Sequence, residues 1–381
     1  MTTFAAITPC RRAVGIWLLA VAALIVAMVA VGGLTRLTGS GLSITQWNPL
    51  MGALPPLSDA AWHDAFAKYQ LIPQYRLENH GMSLEGFKAI FWWEWTHRLL
   101  GRLIGFAFFV PFVWFAWTGA IARKEWPRMV LLFALGGLQG FVGWWMVESG
   151  LETRVSVSQY RLAIHLGVAV ILLGAILWTA LEYLRGIPSP PLGERARVRG
   201  NVPAEHPLTP TLSPNGGEGV RLAWVAALAF VVLVYLQMLL GALVAGLHAG
   251  LIYNSWPSMD GRLLPEHPFA DGWISFFENP GLAQFDHRIV AYLVAVWAYL
   301  LWSWGRHTGV QGTARRSADT VLCVMLVQIA LGIFTLLWHV PIALAVLHQV
   351  VAALLFCAAI WQAFELQRSA FIPPIPDPDR R

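Results

Sequence analysis

The chain has 381 residues, of which 57% are hydrophobic and 12% charged, and its formal net charge is +5. A composition this apolar excludes a soluble globular protein of this length and indicates one that crosses a membrane several times. The excess positive charge lies between the hydrophobic stretches, so it indicates membrane orientation and no nucleic-acid binding.

Eight hydrophobic stretches are long enough to cross a bilayer, which needs roughly 20 apolar residues per helix. They lie near residues 14–34, 91–121, 128–147, 160–184, 222–245, 282–305, 317–338 and 342–365. The first stretch is longer than the apolar region of a signal peptide, about 7–15 residues, so we interpret it as a retained helix. The sequence therefore predicts an all-α polytopic membrane protein with eight transmembrane helices.

Arginine and lysine concentrate on one side of the predicted spans. They precede the first span, separate spans two and three, four and five, and six and seven, and follow the eighth. Because cytoplasmic loops are enriched in these residues, both termini are predicted to be cytoplasmic. No Arg- and Ser-rich transit segment precedes the first span, which favours a bacterial inner (plasma) membrane.

The two halves of the chain repeat each other. GLSITQWNPLMG at 41–52 matches GLIYNSWPSMDG at 250–261, and THRLLGRL in the second span matches DHRIVAYL in the sixth. In the third and seventh spans, the aligned residues are Gln139 with Gln328 and Gly143 with Gly332. Both copies begin on the same side of the membrane, so equivalent residues are expected at the same depth.

This repeat predicts three regions. Residues 1–185 form one four-helix bundle and residues 221–381 form a second, pseudo-symmetric bundle in tandem. Residues 186–220 between them are rich in proline and glycine without periodicity, so they are predicted to be a disordered cytoplasmic linker.

The loop at 35–90 is the longest on the outer side. Its segment SDAAWHDAFAKYQL puts Trp62, Phe66 and Tyr69 on one side of a helix that Ser58 can cap. Two interpretations stay open: an interfacial helix on the outer leaflet, or a lid over a site.

Each even-numbered span carries one histidine near its outer end: His97, His165, His287 and His348. At a rise of 1.5 Å per residue they lie about 10 Å or less below the outer boundary. One such histidine is commonly structural, but four in register across a repeat indicate a functional site. Imidazoles on neighbouring helices suit a transition metal or haem iron, and each half supplies a bis-imidazole pair that could clamp a flat macrocycle. A di-iron site is not expected, because carboxylates do not accompany the histidines in both halves.

Arginines lie close to these histidines. Arg98 and Arg102 are one turn apart in the second span, and Arg288 repeats Arg98 in the sixth. A charged side chain at a helix centre costs about 2.5–3.5 kcal/mol on insertion scales, so each needs a partner. Haem propionates would provide one; snorkelling to the interface is the alternative.

Glu94 breaks the symmetry of the repeat. It shares a helix face with His97, three residues on, whereas its counterpart in the other half is Gln284. Halves that share histidines but not the carboxylate suggest that one site is chemical and the other holds a permanent cofactor. Gly101, one turn after His97, leaves room either for a porphyrin or for ordinary helix packing.

Three segments carry a resemblance to a known family. VGGLTRLTGSGLSITQWNPLMGALPPL, FKAIFWWEWTHRLLGRLIG and FDHRIVAYLV together resemble heme A synthases, over nearly the whole chain outside 186–220. The resemblance implies an oxidoreductase that converts heme O to heme A for terminal oxidases, oxidising a ring methyl to a formyl group by successive hydroxylations. It also implies the roles of five residues: His97 and His165 as substrate-haem ligands, His287 and His348 as ligands of a haem b cofactor, and Glu94 as the catalytic acid group. That acid group would either transfer protons or stabilise a cationic intermediate.

The resemblance implies partners as well. They are heme O as substrate, membrane lipid, an electron acceptor or donor, and heme O synthase with oxidase assembly factors. Some members carry cysteine pairs in their outer loops, whereas the three cysteines here, Cys10, Cys323 and Cys357, lie elsewhere. The chain is therefore similar to the cysteine-poor branch, of bacterial and mitochondrial type.

A di-haem b membrane electron-transfer protein is the main alternative function. Proteins of the cytochrome b type stack two haems between one pair of helices, each with two histidines. Each helix here supplies one histidine, which excludes the stacked geometry but leaves a non-catalytic carrier open. A transporter is disfavoured because no charged residues line a midplane cavity.

Overall fold

The computed structural model describes residues 9–47, 51–151, 154–186 and 216–371. In chain order its helices are α1 (Pro9–Leu37), α2 (Asp59–Tyr69), α3 (Pro73–Leu77), α4 (Leu84–Trp117), α5 (Trp126–Leu151), α6 (Gln159–Arg185), α7 (Gly216–Gly246), α8 (Ser275–Glu278), α9 (Pro280–His307), α10 (Gly312–Leu337) and α11 (Ile342–Phe371). Within these ranges eight helices, all except α2, α3 and α8, are long and apolar enough to cross a membrane. The predicted all-α fold with eight transmembrane helices is confirmed.

The ends of α4 differ most from the predicted span. The helix begins at Leu84, two turns before residue 91, where Ser83 caps it by accepting a hydrogen bond from the Gly86 N–H. It ends at Trp117 rather than near residue 121, because Gly119 has a φ of +75° and reverses the chain. The first turns of α4 therefore extend beyond its most apolar part.

The predicted linker falls largely outside the described residues, at 187–215. Its last residues, 216–220, form the first turn of α7, so this part of the linker prediction is wrong. The apolar residues that mark a span begin later than the helix itself, because GGEGV can be helical without being buried in lipid.

The same pairs of helices pack together in both halves. α1 and α5 each contact α4 and α6, as α7 and α10 each contact α9 and α11. Contacts also cross between the halves, because α6 packs on α7 and α11, and α1 packs on α11. α1, α6, α7 and α11 are the more buried helices, so they form the centre, with α4, α5, α9 and α10 outside them. The division into two separate bundles stays a prediction.

A single apolar core runs through the central helices. Leu173 and Ile176 of α6, Phe230 of α7 and Phe356 of α11 are all at most 4% exposed and belong to one cluster. Gly174 allows α6 and α11 to approach, since a Cβ at that position would lie 3.1 Å from the Phe356 ring. Close packing of this kind fixes the helices on which the histidines lie.

Helix α2, in the segment between α1 and α4, packs on α4. The Ser58 side chain caps it, as expected. Trp62 and Tyr69 are buried against Phe87 and Phe91 at the extended end of α4. The aromatic side of α2 thus faces the protein, whereas an interfacial helix would turn it towards lipid.

Candidate functional site

Each of the four histidines lies against a glycine of the spanning helix that precedes it. A Cβ added to the glycine would lie 3.2 Å from the ring for Gly32 and His97, 2.9 Å for Gly143 and His165, 3.2 Å for Gly241 and His287, and 2.9 Å for Gly332 and His348. Such contacts would force the ring to move, so glycine is what lets each imidazole lie between two helices. All four imidazoles are half-buried, and therefore accessible to a bound group.

The histidines are paired within each half. The ring centroids of His287 and His348 are 6.5 Å apart, with an interplanar angle of 77°. Metal–imidazole bonds of about 2.0–2.1 Å would put the two ring centres roughly 6 Å apart, so this spacing fits one metal held between the rings. In the other half, His97 and His165 are close enough to interact electrostatically.

The ligand set distinguishes haem iron from a bare metal ion. In the described part of the chain, no group of three or more His, Cys, Asp or Glu side chains could hold a metal ion. A protein-bound metal usually has four or more ligands, so a metal held by two imidazoles would take its other ligands from outside these side chains. A porphyrin supplies four nitrogens and leaves two axial positions, which suits an imidazole pair.

Glu94 is buried beside His97 with its acceptor positions occupied. Arg98 donates to Oε1 from Nε at 3.0 Å and from Nη2 at 2.6 Å. The Ser43 hydroxyl and the Ile44 N–H donate to Oε2 at 2.7 and 2.8 Å. A carboxylate offers about four lone-pair sites, so none remains for a further donor.

Arg98 and Arg288 hold the loop that follows the first helix of their own half. Arg98 Nη2 donates to the carbonyl of Ile44 at 2.8 Å. Arg288 donates to the carbonyls of Tyr253 and Ser258, each at 3.1 Å. These Nη groups therefore hydrogen-bond to the loops. Nε of Arg288, in contrast, is buried with no hydrogen-bond partner within the described residues.

Gln284, the counterpart of Glu94, faces different backbone groups. Its Nε2 donates to the carbonyls of Ala249 and Tyr253, each at 3.1 Å, and its Oε1 accepts from Arg288 at 3.3 Å. The first loop presents an N–H and a hydroxyl at this place, whereas the second presents two carbonyls. The asymmetry between Glu94 and Gln284 thus has a structural reason in addition to any chemical one.

Arg102 lies one turn after Arg98 on α4 and is half-buried. The two guanidinium groups are close enough to repel each other. Gly101, next to Arg102, faces the methyl of Met28 on α1, which would lie 3.4 Å from a Cβ at position 101. Gly101 was expected to leave room either for a porphyrin or for helix packing, and the structure shows a helix-packing contact with α1.

Three glutamines at the site were not predicted from sequence. Gln139 Nε2 lies 3.1 Å from Nδ1 of His165, Gln237 Nε2 lies 3.1 Å from Nδ1 of His287, and Gln328 Nε2 lies 3.4 Å from Nε2 of His348. Each glutamine is one turn before the glycine that faces the same histidine. The repeat aligned Gln139 with Gln328, but only the packing of helices shows which histidines they contact.

The described residues thus form a membrane protein with eight candidate spanning helices and two pairs of histidines on neighbouring helices. A pair of imidazoles is a ligand set that suits haem iron. The family model COX15-CtaA, cytochrome oxidase assembly protein, matches residues 15–360, and the chain belongs to this family. It is similar to the heme A synthase of Parvibaculum lavamentivorans, with 46% identity over 360 residues that cover 94% of this chain and 95% of the relative. It is 47% identical to those of Caulobacter sp. (strain K31) and Rhodopseudomonas palustris (strain BisA53), covering 94% and 92% of this chain and 97% and 90% of the relatives.

Proposed function

We propose that the chain is a heme A synthase that oxidises a ring methyl of heme O to a formyl group. The observation that carries the proposal is the imidazole pair of His287 and His348, whose ring centroids are 6.5 Å apart. His97 and His165 occupy the matching positions of the sequence repeat in the other half. Identity of 46–47% to heme A synthases over more than nine-tenths of the chain supports it. The oxidation proceeds by successive hydroxylations, and the hydrated aldehyde then loses water.

The two halves are proposed to have different roles, one binding the substrate and the other a permanent cofactor. His97 and His165 hold the substrate, heme O, while His287 and His348 hold haem b, which supplies one-electron transfer when bound. The buried Glu94–Arg98 ion pair supports this assignment, because it lies beside His97 and has no carboxylate counterpart in the other half.

Glu94 is proposed to act as a fixed charge and to position the first outer loop over the substrate site. Its four hydrogen bonds favour this role over proton transfer, because a proton carrier must first lose one of them. Arg98 and the Ser43–Ile44 backbone are thereby held against the outer end of α4, next to His97.

Arginines near the histidines are proposed to bind haem propionates. The unpaired Nε of Arg288 supports this in the cofactor half, and Arg98 with Arg102 occupies the matching region of the substrate half. The protein is further proposed to lie in a bacterial plasma membrane with both termini cytoplasmic. There it would exchange electrons with a redox partner and work beside heme O synthase and oxidase assembly factors.

Pigment extraction tests the proposed activity. The chain is expressed with a heme O synthase in a host that makes no heme A, then purified, and its pigments are separated by chromatography. We expect heme A or a hydroxylated precursor beside haem b. Haem b alone, with heme O left unconverted in the membrane, would instead favour the di-haem electron carrier.

A further inference from the structure

Three of the four histidines have a glutamine amide against the ring. In Gln139, Gln237 and Gln328 the amide oxygen Oε1 has no hydrogen-bond partner in the described part of the chain. Nδ1 of His348 is likewise buried and unpaired within the described residues, whereas the other ring nitrogen, Nε2, faces the Gln328 amide at 3.4 Å. An unpaired acceptor and an unpaired ring nitrogen thus occur on the same two residues.

Haem ligation would pair these atoms. The two ends of a glutamine amide are nearly indistinguishable by shape, so a half-turn of the amide exchanges Nε2 and Oε1. A histidine that binds iron through one ring nitrogen carries hydrogen on the other and almost always donates it to an acceptor. In both His165 and His287 the glutamine Nε2 lies 3.1 Å from Nδ1 and 3.3 Å from Nε2 of the ring, so the amide is within reach of either ring nitrogen. A half-turn would bring the unpaired Oε1 to the ring, and in Gln237 it would do so in exchange for the bond that Nε2 donates to the His287 carbonyl at 3.0 Å.

We propose that Gln139, Gln237 and Gln328 are positioning residues for the haem ligands. Each accepts the N–H of its histidine through Oε1, which fixes the ring and makes it a stronger donor to iron. The proposal rests on the assignment of the four histidines as haem ligands and goes beyond it, since it names what holds them.

The fourth position is different. Met28 lies one turn before Gly32, the glycine that faces His97, where Gln237 stands in the matching helix of the other half. A thioether is a weak acceptor, so His97 is not held by an amide as the other three ligands are. We therefore expect His97 to be the least firmly held of the four histidines, and in the proposed function it belongs to the site that takes up heme O and releases heme A.

The first test concerns the haem b potential. Gln237→Met keeps the side-chain size but removes the acceptor, so His287 becomes a weaker donor and ferric iron is less stabilised. At a fixed ambient potential we expect the ratio of reduced to oxidised haem b to rise about tenfold, which is ~59 mV for a one-electron couple. Gln237→Glu keeps an oxygen acceptor, so its potential should stay at or below the parental value.

Gln362→Met is the matched control. Gln362 on α11 is a buried glutamine whose Oε1 is also unpaired within the described residues, but it lies roughly 21 Å along the helix from His348 at 1.5 Å per residue. Its substitution should leave the potential unchanged. An unchanged potential in Gln237→Met, or equal shifts in the Met and Glu variants, would overturn the proposal.

The second test introduces a glutamine at position 28, where the other three sites have one, and leaves the existing glutamines and histidines unchanged. Met28→Gln should provide an acceptor for the N–H of His97. We expect it to slow the release of haem from the His97–His165 site to excess apomyoglobin by about tenfold, which is at the lower end of the effects that residues hydrogen-bonded to a metal ligand have on metal affinity. This variant keeps the proposal testable if Gln237→Met loses its haem. Parental release from Met28→Gln would contradict it. Absence of any bis-histidine haem signal in the unsubstituted protein would instead refute the proposed function.

Discussion

At the scale of single residues, Glu94 shows how a membrane helix accommodates a charge. Its side chain is 3% exposed, and the partner Arg98 is 13% exposed, so both are largely removed from water. A buried ion pair is tolerated only when its remaining hydrogen-bonding sites are also satisfied. Ser43 and Ile44 complete that set from the loop after α1.

Glu94→Gln is expected to insert, keep haem b and bind heme O, yet to lose heme A formation. The amide cannot accept all four hydrogen bonds, and one buried donor left unsatisfied costs roughly 1–3 kcal/mol, so the rate should fall by about tenfold or more. Heme A formed per unit haem b is the measurement.

Two controls separate the role of the charge from general damage. Ser43→Ala removes one hydrogen bond but keeps the ion pair, so its loss of rate should be smaller than that of Glu94→Gln. In the other half, Gln284→Glu sets a carboxylate against two carbonyls, so it should weaken haem b binding. A parental rate in Glu94→Gln would show that Glu94 is structural only.

The ion pair of Glu94 could be predicted from sequence more readily than its surroundings. Arg98 follows Glu94 by four residues, so helix periodicity alone brings them together. Ser43 and Ile44 lie about fifty residues earlier, and no periodicity relates a loop to a distant helix. For this reason the sequence alone does not show how many hydrogen bonds Glu94 accepts.

At the scale of helices, the glycines that face the histidines set how close neighbouring helices come. Gly143→Ala would put a Cβ 2.9 Å from Cε1 of His165, so the ring must shift. We expect this variant to retain haem b but to bind heme O at least about tenfold more weakly, as for other disturbances of a metal ligand's surroundings. Haem composition of the purified variant is the measurement.

Gly140→Ala on the same helix is the control. Nothing lies within 4 Å of a Cβ at position 140, and alanine favours helix over glycine by about 1 kcal/mol. Its heme O content should match that of the parent. Equal heme O in both variants would contradict the account of Gly143.

Hydropathy predicts helices better than it predicts their ends. All eight spans are present, since about 20 apolar residues can hardly be placed elsewhere. The first turns of α4 and α7 were missed because LEGFK and GGEGV are polar enough to lie outside the hydrocarbon while remaining helical. The packing of α2 on α4 depends on Trp62 and Tyr69 meeting Phe87, which pattern alone does not reveal.

At the scale of the whole molecule, the sequence repeat is clear but the shared core is not. Both lipid-facing and buried positions of a membrane helix are apolar, so hydropathy does not separate central from peripheral helices. The structure makes α1, α6, α7 and α11 the centre, with contacts between the halves. The two pairs of histidines are thus carried by helices that pack on one shared core.

Orientation in the membrane follows from the distribution of arginine and lysine. A reporter that is active only in the cytoplasm should be active when fused after Gly193, and one that is active only outside should be active after Gly261. The opposite pattern would invert the predicted topology and put the histidine ends of the helices on the cytoplasmic side.

The division of work between the halves is tested most directly by the haem content of four single variants: His97→Ala, His165→Ala, His287→Ala and His348→Ala. The two C-terminal variants should lose most of the haem b, because one imidazole cannot replace the pair that is 6.5 Å apart. The two N-terminal variants should keep haem b and lose heme O and heme A. Equal loss of haem b from all four, or unchanged haem b in both C-terminal variants, would contradict the account.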